Sequence, residues 1–356
     1  MRRAAGSVAV CMLCVCFVVV AGCNRKPRFV PPGGDSTGAY AFDSTTVLAQ
    51  DVSDLWDRAT DRRSVSEASS ATVRLARQFL LVRGGPVLSD GLAAYLDSIG
   101  VGVEVAADRR DSNTAAANFF ARTSPEAGSE PWILWRDGSD VRYQAVEGRG
   151  LRLFQMASRS YPANEVALLF GRPASGGFNP LLLVLRRTSR GGWQIAQSVG
   201  TDSLGGTGRV EFGRQDSTII ARARTYRSAP RFEECASCPH LYRQRVLEWD
   251  RDGFHIASDR LEPSQYQAFV EFIDAVSLGD SRLASSFTTN PGVLRDALRF
   301  GWDHSVGPWR VAPGLDSGGD TIIFYRGSKE AYRVSFELND GNWFVAAIEP
   351  TTRAIE

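Results

Sequence analysis

The sequence predicts an α+β protein: a helical N-terminal cap, an antiparallel β-rich central domain, and a C-terminal unit in which one long helix precedes four short strands. Three observations carry that reading. Apolar residues between Leu48 and Ile99 recur at helical spacing, those between Val101 and Leu261 alternate with period two, and after Glu262 a helical stripe returns ahead of four short alternating runs. The composition, 43% hydrophobic and 23% charged over 356 residues, is that of a folded chain and leaves out disordered and collagen-like classes. Lys+Arg is 41 against 40 Asp+Glu, a balance that argues against nucleic acid as a partner.

The first segment reads as an export signal. Arg2 and Arg3 form a positive n-region, and Val8 to Val20 is an apolar run shorter than the about 20 residues a spanning helix needs. It runs into Val20-Ala21-Gly22-Cys23, which resembles the lipobox of bacterial lipoproteins; the resemblance covers the first 23 residues. It implies cleavage before Cys23, diacylglycerol on the Cys23 thiol and a further acyl chain on the new amino group. That many chains hold a protein stably on a bilayer. The expected partner is therefore the membrane, through lipid at Cys23, and the expected location is the bacterial cell envelope, facing the periplasm or the exterior. Asn24 in place of Asp favours the outer membrane where one exists. Residues 1–22 would be the signal peptide. Residues 23–46, with Pro27, Pro31, Pro32, Gly33, Gly34 and Gly38, would be the lipidated Cys and a flexible tether.

Residues 47–261 are expected to hold the cap and the β-rich domain. Leu48, Val52, Leu55, Trp56 and Ala59 share one helical face. Ser64-Val-Ser-Glu67 fits a capping box ahead of the stripe Val73, Ala76, Phe79, Leu80. Asp90 reads as the N-cap of a third helix with Leu92, Tyr95, Leu96 and Ile99 inward and Gly100 at its end. Strands are signalled by Val103/Val105, Ile133/Trp135, Val141/Tyr143/Ala145, Val166/Leu168 and Ile219/Ala221/Ala223. Leu181–Leu185 is continuously apolar, as for a strand buried on both faces. Leu241 to Trp249 fits either period, and the Asp-Gly turn after it favours a strand. Four hairpins share one pattern, an aromatic beside a DG or GG turn: Trp135–Gly138, Arg190–Trp193, Trp249–Phe254 and Asp340–Trp343. They resemble the hairpins of β-sandwiches and propellers, at spacings too irregular for a repeat array.

Residues 262–356 are expected to form a domain that folds alone. Ser264 and Gln267 fit a capping box; Tyr266, Phe269, Val270, Ile273 and Val276 make one helical face; Asn290-Pro291 starts another helix. Strands are expected at Trp309–Val311, Ile322–Tyr325, Tyr332–Leu338 and Trp343–Ile348. This order, with Phe272-Ile-Asp-Ala-Val-Ser-Leu-Gly-Asp280 closing the long helix, resembles NTF2-like (cystatin-like) domains over about Pro263–Pro350. The resemblance implies a curved sheet wrapped round the helix into a cone, whose mouth hosts ligands or catalysis in some members and is a packing scaffold in others. Catalytic members usually carry an Asp/His dyad in the cone; here the local His is His304, in a loop, and no catalytic residue is carried over.

Cysteine arithmetic gives the remaining candidates. Cys11, Cys14 and Cys16 leave with the signal and Cys23 is acylated, so Cys235 and Cys238 remain, in Cys235-Ala-Ser-Cys238-Pro239-His240. In an oxidising compartment they read as a structural disulfide. A redox-active pair is an alternative, although Glu233 and Glu234 would raise a thiol pKa, whereas reactive thiols need it lowered. A metal site from Cys235, Cys238, His240 and His255 is another, on a single CxxC. Pro239 stands where a haem-attachment motif needs His. Gly200–Gly208 lacks the Lys of a phosphate-cradling loop, and Val210 stands where a calcium nonapeptide needs Asp. Glu233/Glu234 and Asp250/Asp252 read as surface carboxylates, the eight Trp as core plugs, and Arg, with Lys only at 26 and 329, as compositional bias. No metal, cofactor or catalytic residue is assigned. The expected function is a lipid-anchored, non-enzymatic envelope protein that binds a ligand or a partner protein. The alternatives are an envelope enzyme with its site in the C-terminal cone or an interdomain cleft, and a thiol-redox or metal-handling protein using the CxxC.

Overall fold

The computed structural model describes residues 39–352 except 86, 88–89, 123–127, 161–163, 236–237, 305–306 and 313–318. It is α+β, with three antiparallel sheets. The signal segment and Cys23 lie outside the described residues.

The cap is α1 (Ala39–Asp57), α2 (Arg62–Arg83) and α3 (Asp90–Ser98). α1 begins inside the stretch read as tether, which corrects where that tether ends: past Gly38 neither Pro nor Gly interrupts the chain, so the helix that buries Val52 and Trp56 extends back to Ala39. The capping box of α2 also differs from expectation. Asp61 is the N-cap and Ser64 sits at N3, the Ser64 N–H donating to Asp61 Oδ1 at 2.8 Å and the Asp61 N–H to Ser64 Oγ at 3.1 Å. Asp caps as well as Ser, and starting at Asp61 adds most of a turn. Trp56 on α1 donates its indole N–H to Thr72 Oγ1 on α2 at 2.8 Å, satisfying a buried donor.

β1 (Val101–Ala106), β2 (Thr114–Ala121), β3 (Ser129–Asp137) and β4 (Asp140–Ala145) form a meander. Its two faces enter different cores. Ala115, Ala117, Phe119 and Leu134 pack under the helices, while Ala116, Ile133 and Trp135 pack on the second sheet. The expected central segment therefore contains two sheets in layers, with the helices on the outside.

The second sheet has eight strands: β5 (Arg152–Arg159), β6 (Glu165–Ala174), β7 (Gly177–Arg187), β8 (Trp193–Val199), β9 (Gly208–Gln215), β10 (Thr218–Arg227), β11 (Leu241–Asp250) and β12 (Gly253–Leu261). The order is β12-β11-β10-β9-β7-β6-β5, with β8 beside the second half of β7. β7 is buried on both faces, as its apolar run requires: Leu183 and Leu185 face the first sheet, and Leu182 and Val184 face an inner core. The sheet coils, so that Ala167 and Leu169 of β6 share that inner core with Ile219, Ala221, Leu247 and Trp249. Two glutamines join elements that share no ladder. Gln144 of β4 accepts the Trp193 N–H at 2.9 Å and donates to the Trp193 carbonyl at 2.7 Å; Gln197 of β8 does the same to Phe254, at 2.7 and 2.9 Å. A carboxamide carries the same donor and acceptor as a peptide group.

The third unit is α5 (Gln265–Ser277), α6 (Ser281–Ser286), α7 (Pro291–Arg299) and the meander β13 (Trp309–Val311), β14 (Thr321–Arg326), β15 (Glu330–Asn339), β16 (Asn342–Pro350). Ser264 is the N-cap the sequence predicts, its Oγ accepting the Gln267 N–H at 3.0 Å, but the expected box is not closed, since the Gln267 side chain donates to Glu271; Asn290 caps α7 with Pro291 at its start, as predicted. The interior is filled by aromatic rings. Phe269 stacks on Phe324 at 3.9 Å between centroids, and Trp302, Trp309 and Tyr332 close around them. Arg326, 2% exposed, donates to the carbonyls of Phe300, Gly301 and His304 at the end of α7 and to Glu330.

This core crosses the expected boundary at 262. Ala229, Phe232 and Leu241 belong to it. The segment after β10 runs beside β13, with the Glu233 N–H on the Trp309 carbonyl at 2.7 Å and the Trp309 N–H on the Arg231 carbonyl at 2.8 Å.

Candidate functional site

Cys235 and Cys238 stand at disulfide-bonding distance, with Cα atoms 5.1 Å apart. They close a turn, Cys238 N–H to Cys235 carbonyl at 3.0 Å, that leads into β11. Among the described residues no helix starts there, so none of them offers a helix N-terminus to stabilise a thiolate. His255 is not brought near. It lies opposite Glu248 on β12, about 26 Å along β11 from His240 by strand rise, and its Nδ1 faces Asp250 at 3.3 Å. Among the described residues no group of three His, Cys, Asp or Glu is placed to hold a metal ion.

Beside the disulfide, the two adjacent glutamates diverge. Glu233 is exposed, while the Glu234 carboxylate turns inward and accepts both the Tyr226 hydroxyl from β10 and the Tyr266 hydroxyl from α5, the latter at 2.9 Å. Burial, reinforced by the Glu234 hydrogen bond, pushes the Tyr226 phenol up to about 12; burial and the Glu234 charge also push Tyr266 up. Both phenols thus stay protonated and donating. His240 packs edge-on against Tyr226, its Nδ1 3.8 Å from Glu234 and beyond hydrogen-bond reach. This cluster ties the second sheet to the third unit. With Glu234 bonded to both hydroxyls, it reads as a brace.

The other sequence candidates resolve into structure. The glycine-rich loop contains one helical turn, α4 (Thr201–Leu204), stopped by Gly205 at φ 99°. Gly208 lets strands approach, since a Cβ there would sit 2.2 Å from the Arg224 carbonyl oxygen. Asp250 accepts the Asp252 N–H inside the β11–β12 turn. The His304 ring is exposed beside Asp303. Seven of the eight Trp are buried and Trp343 is half-buried, so none offers a free stacking platform. No described helix is long and apolar enough to cross a membrane.

An open cleft of about 360 Å³ lies where α2, the β3–β4 hairpin and the β7–β8 turn meet. Its lining includes Arg77 from α2, Trp135 from β3, Asp140 and Arg142 from β4, and Arg190 from the turn. The turn is fixed by Thr188, whose backbone N–H and carbonyl pair with Gly192 and Gly191 at 2.8 and 2.9 Å. Arg77 donates through Nε to the Val141 carbonyl at 2.9 Å and through Nη2 to Asp140 at 2.7 Å, and that hydrogen bond holds the Asp140 carboxyl below its usual value. Arg142 pairs with Asp137 at 2.8 Å. Arg187 lies over the Trp135 ring at 4.9 Å. Sequence reasoning treated these arginines as compositional bias; the sole hint was Arg190 in a recurring hairpin motif. The cleft orients charged groups and presents hydrogen-bond donors, and it contains no nucleophile paired with a base. Comparison with family models, curated proteins and solved structures finds no match for this chain.

Proposed function

We propose that the chain is a lipid-anchored protein of the bacterial cell envelope that works as a non-enzymatic binding module, with the Arg77–Arg142–Arg190 cleft as its ligand site. One observation carries the reading: a concave site in which ionisable side chains from three separate elements converge. The anchor rests on Val20-Ala-Gly-Cys23, and the bonded Cys235–Cys238 pair supports an oxidising compartment. The third unit serves, on this reading, as an NTF2-like packing scaffold. Its order of a capped helix, two short helices and a four-strand meander supports the likeness. Its aromatic interior supports scaffold over ligand cone.

Two experiments test this. Cys23→Ala should abolish labelling with radioactive fatty acid and move the protein from membrane to soluble fractions; unchanged labelling would remove the lipoprotein reading. The full mature chain carrying Cys23→Ser should be stabilised against heat by some members of a mixed panel of anionic, neutral and cationic small molecules. That stabilisation should vanish in Arg190→Trp, which fills the cleft mouth. A panel with no cleft-dependent shift would remove the binding-module reading.

A further inference from the structure

We infer that this cleft takes a dianionic phosphate group, supplied by a soluble phosphate monoester or by the headgroup of phosphatidic acid; the inference rests on the cleft being the ligand site. Arg77, Arg142 and Arg190 line the cleft with a single aspartate, Asp140. Including the two flanking groups, Arg187 and Asp137, leaves the surplus unchanged at two positive charges. A dianion neutralises that surplus, whereas a neutral or cationic ligand leaves it standing.

The cleft arginines also keep unspent hydrogen-bond capacity. Each guanidinium has five N–H donors in a rigid fork. Arg77 uses its Nε and one Nη2 bond, and Arg142 uses its Nε on Asp137. Arg190 is exposed and has no hydrogen bond or ion pair among the described residues. Donors from α2, β4 and the β7–β8 turn therefore remain for a ligand with several acceptor oxygens, the chemistry that arginine forks recognise best. The cleft also matches such a ligand in size. About 360 Å³ lies near the lower end of small-molecule pockets and suits a phosphate carrying a short alcohol. The side chains of Arg77, Asp140 and Arg142 are between 36 and 49% exposed, so the attraction is open to screening by salt.

The test uses the full mature chain with Cys23→Ser at low ionic strength. Calorimetric titration with glycerol 3-phosphate forms one arm. Flotation with phosphatidylcholine vesicles, with and without phosphatidic acid, forms the other. Saturable binding in either arm is expected, weakened at least tenfold in both Arg190→Gln and Arg142→Gln and fading as salt rises. Arg190 is an exposed turn residue, and an unchanged melt of Arg190→Gln will show that loss of binding is not loss of fold. Binding of glycerol 3-phosphate without flotation assigns the soluble source; flotation alone assigns the lipid. Failure of both arms, or binding indifferent to Arg190→Gln, overturns the inference. If both arms fail while neutral or cationic compounds give shifts abolished by Arg190→Trp, the phosphate assignment falls and the binding-module reading stands.

Discussion

Replacing Phe232 by Ala probes the join between the second sheet and the third unit. The ring is 8% exposed and inserted among four others, at 5.6 Å from Tyr266, 6.0 Å from Phe269, 6.3 Å from Trp309 and 6.5 Å from Phe324. Its backbone is held beside β13 by the pairing of Glu233 and Arg231 with Trp309, so the chain cannot easily slide to fill the hole. A Phe→Ala change at such a site costs about 3–5 kcal/mol, the transfer free energy plus the residual cavity. At about 2–4 °C per kcal/mol for units of 150–250 residues, the melting temperature should fall by roughly 6–20 °C. Far-UV circular dichroism, with near-UV signals reporting the aromatic core, is the assay. Phe232→Leu keeps most of the volume and should lose less than about 1.5 kcal/mol. A fragment beginning at 260 lacks Phe232 and the strand-like segment beside β13, and should melt below the Phe232→Ala protein. A loss under about 1 kcal/mol for Phe232→Ala, too small for a cavity of this kind, would refute the claim that this side chain plugs the C-terminal core.

Three further outcomes are expected. Arg326→Met strips the donors from the Phe300, Gly301 and His304 carbonyls and should cost about 3–5 kcal/mol, read from urea denaturation midpoints. Double replacement of Cys235 and Cys238 by Ser should lower the melting temperature only by a few degrees, since so short a loop gives about 2 kcal/mol or less; mass spectrometry of the native chain without reductant should find neither thiol alkylatable. Burial raises the Glu271 carboxyl above its usual value, against the opposing hydrogen bond from Gln267. The folded state then holds that proton more tightly than the unfolded one, so the ionised form costs stability above the folded pKa. The penalty fades as pH falls toward the unfolded value of about 4.3. Glu271→Gln should therefore melt higher than the parent at pH 7 and lose that advantage near pH 4.

The local elements were more legible than their assembly. The Asn290-Pro291 start, the Ser264 cap and all four turn-centred hairpins are written in contiguous residues, and the structure forms each of them. β2 was illegible because Thr-Ala-Ala-Ala-Asn-Phe-Phe-Ala has no alternation. Both of its faces are buried, one under helices and one on another sheet, so apolar residues fall on both faces and the period-two signal is lost. The Glu234 brace draws Tyr226 and Tyr266 from a strand and a helix on either side of the β11–β12 hairpin. The cleft likewise unites Arg77, Asp140 and Arg190, which no local pattern links. Contacts of this kind are set by how layers stack, and stacking has no short-range signature.

The paired glutamines have a consequence for how the curled sheet breathes. Among the described residues, the hydrogen bonding across the rim from β8 to β12 runs through one carboxamide straddling a single residue, Phe254, where a sealed cylinder would run a continuous ladder. One rotamer change at Gln197 breaks both of those hydrogen bonds and leaves every main-chain rung of the sheet intact. Amide exchange at Phe254 should therefore be faster than at its neighbours in the β10–β11 ladder. Between openings the same carboxamide occupies polar groups that a bare strand margin would offer to a foreign chain, so the latch also guards against unwanted pairing.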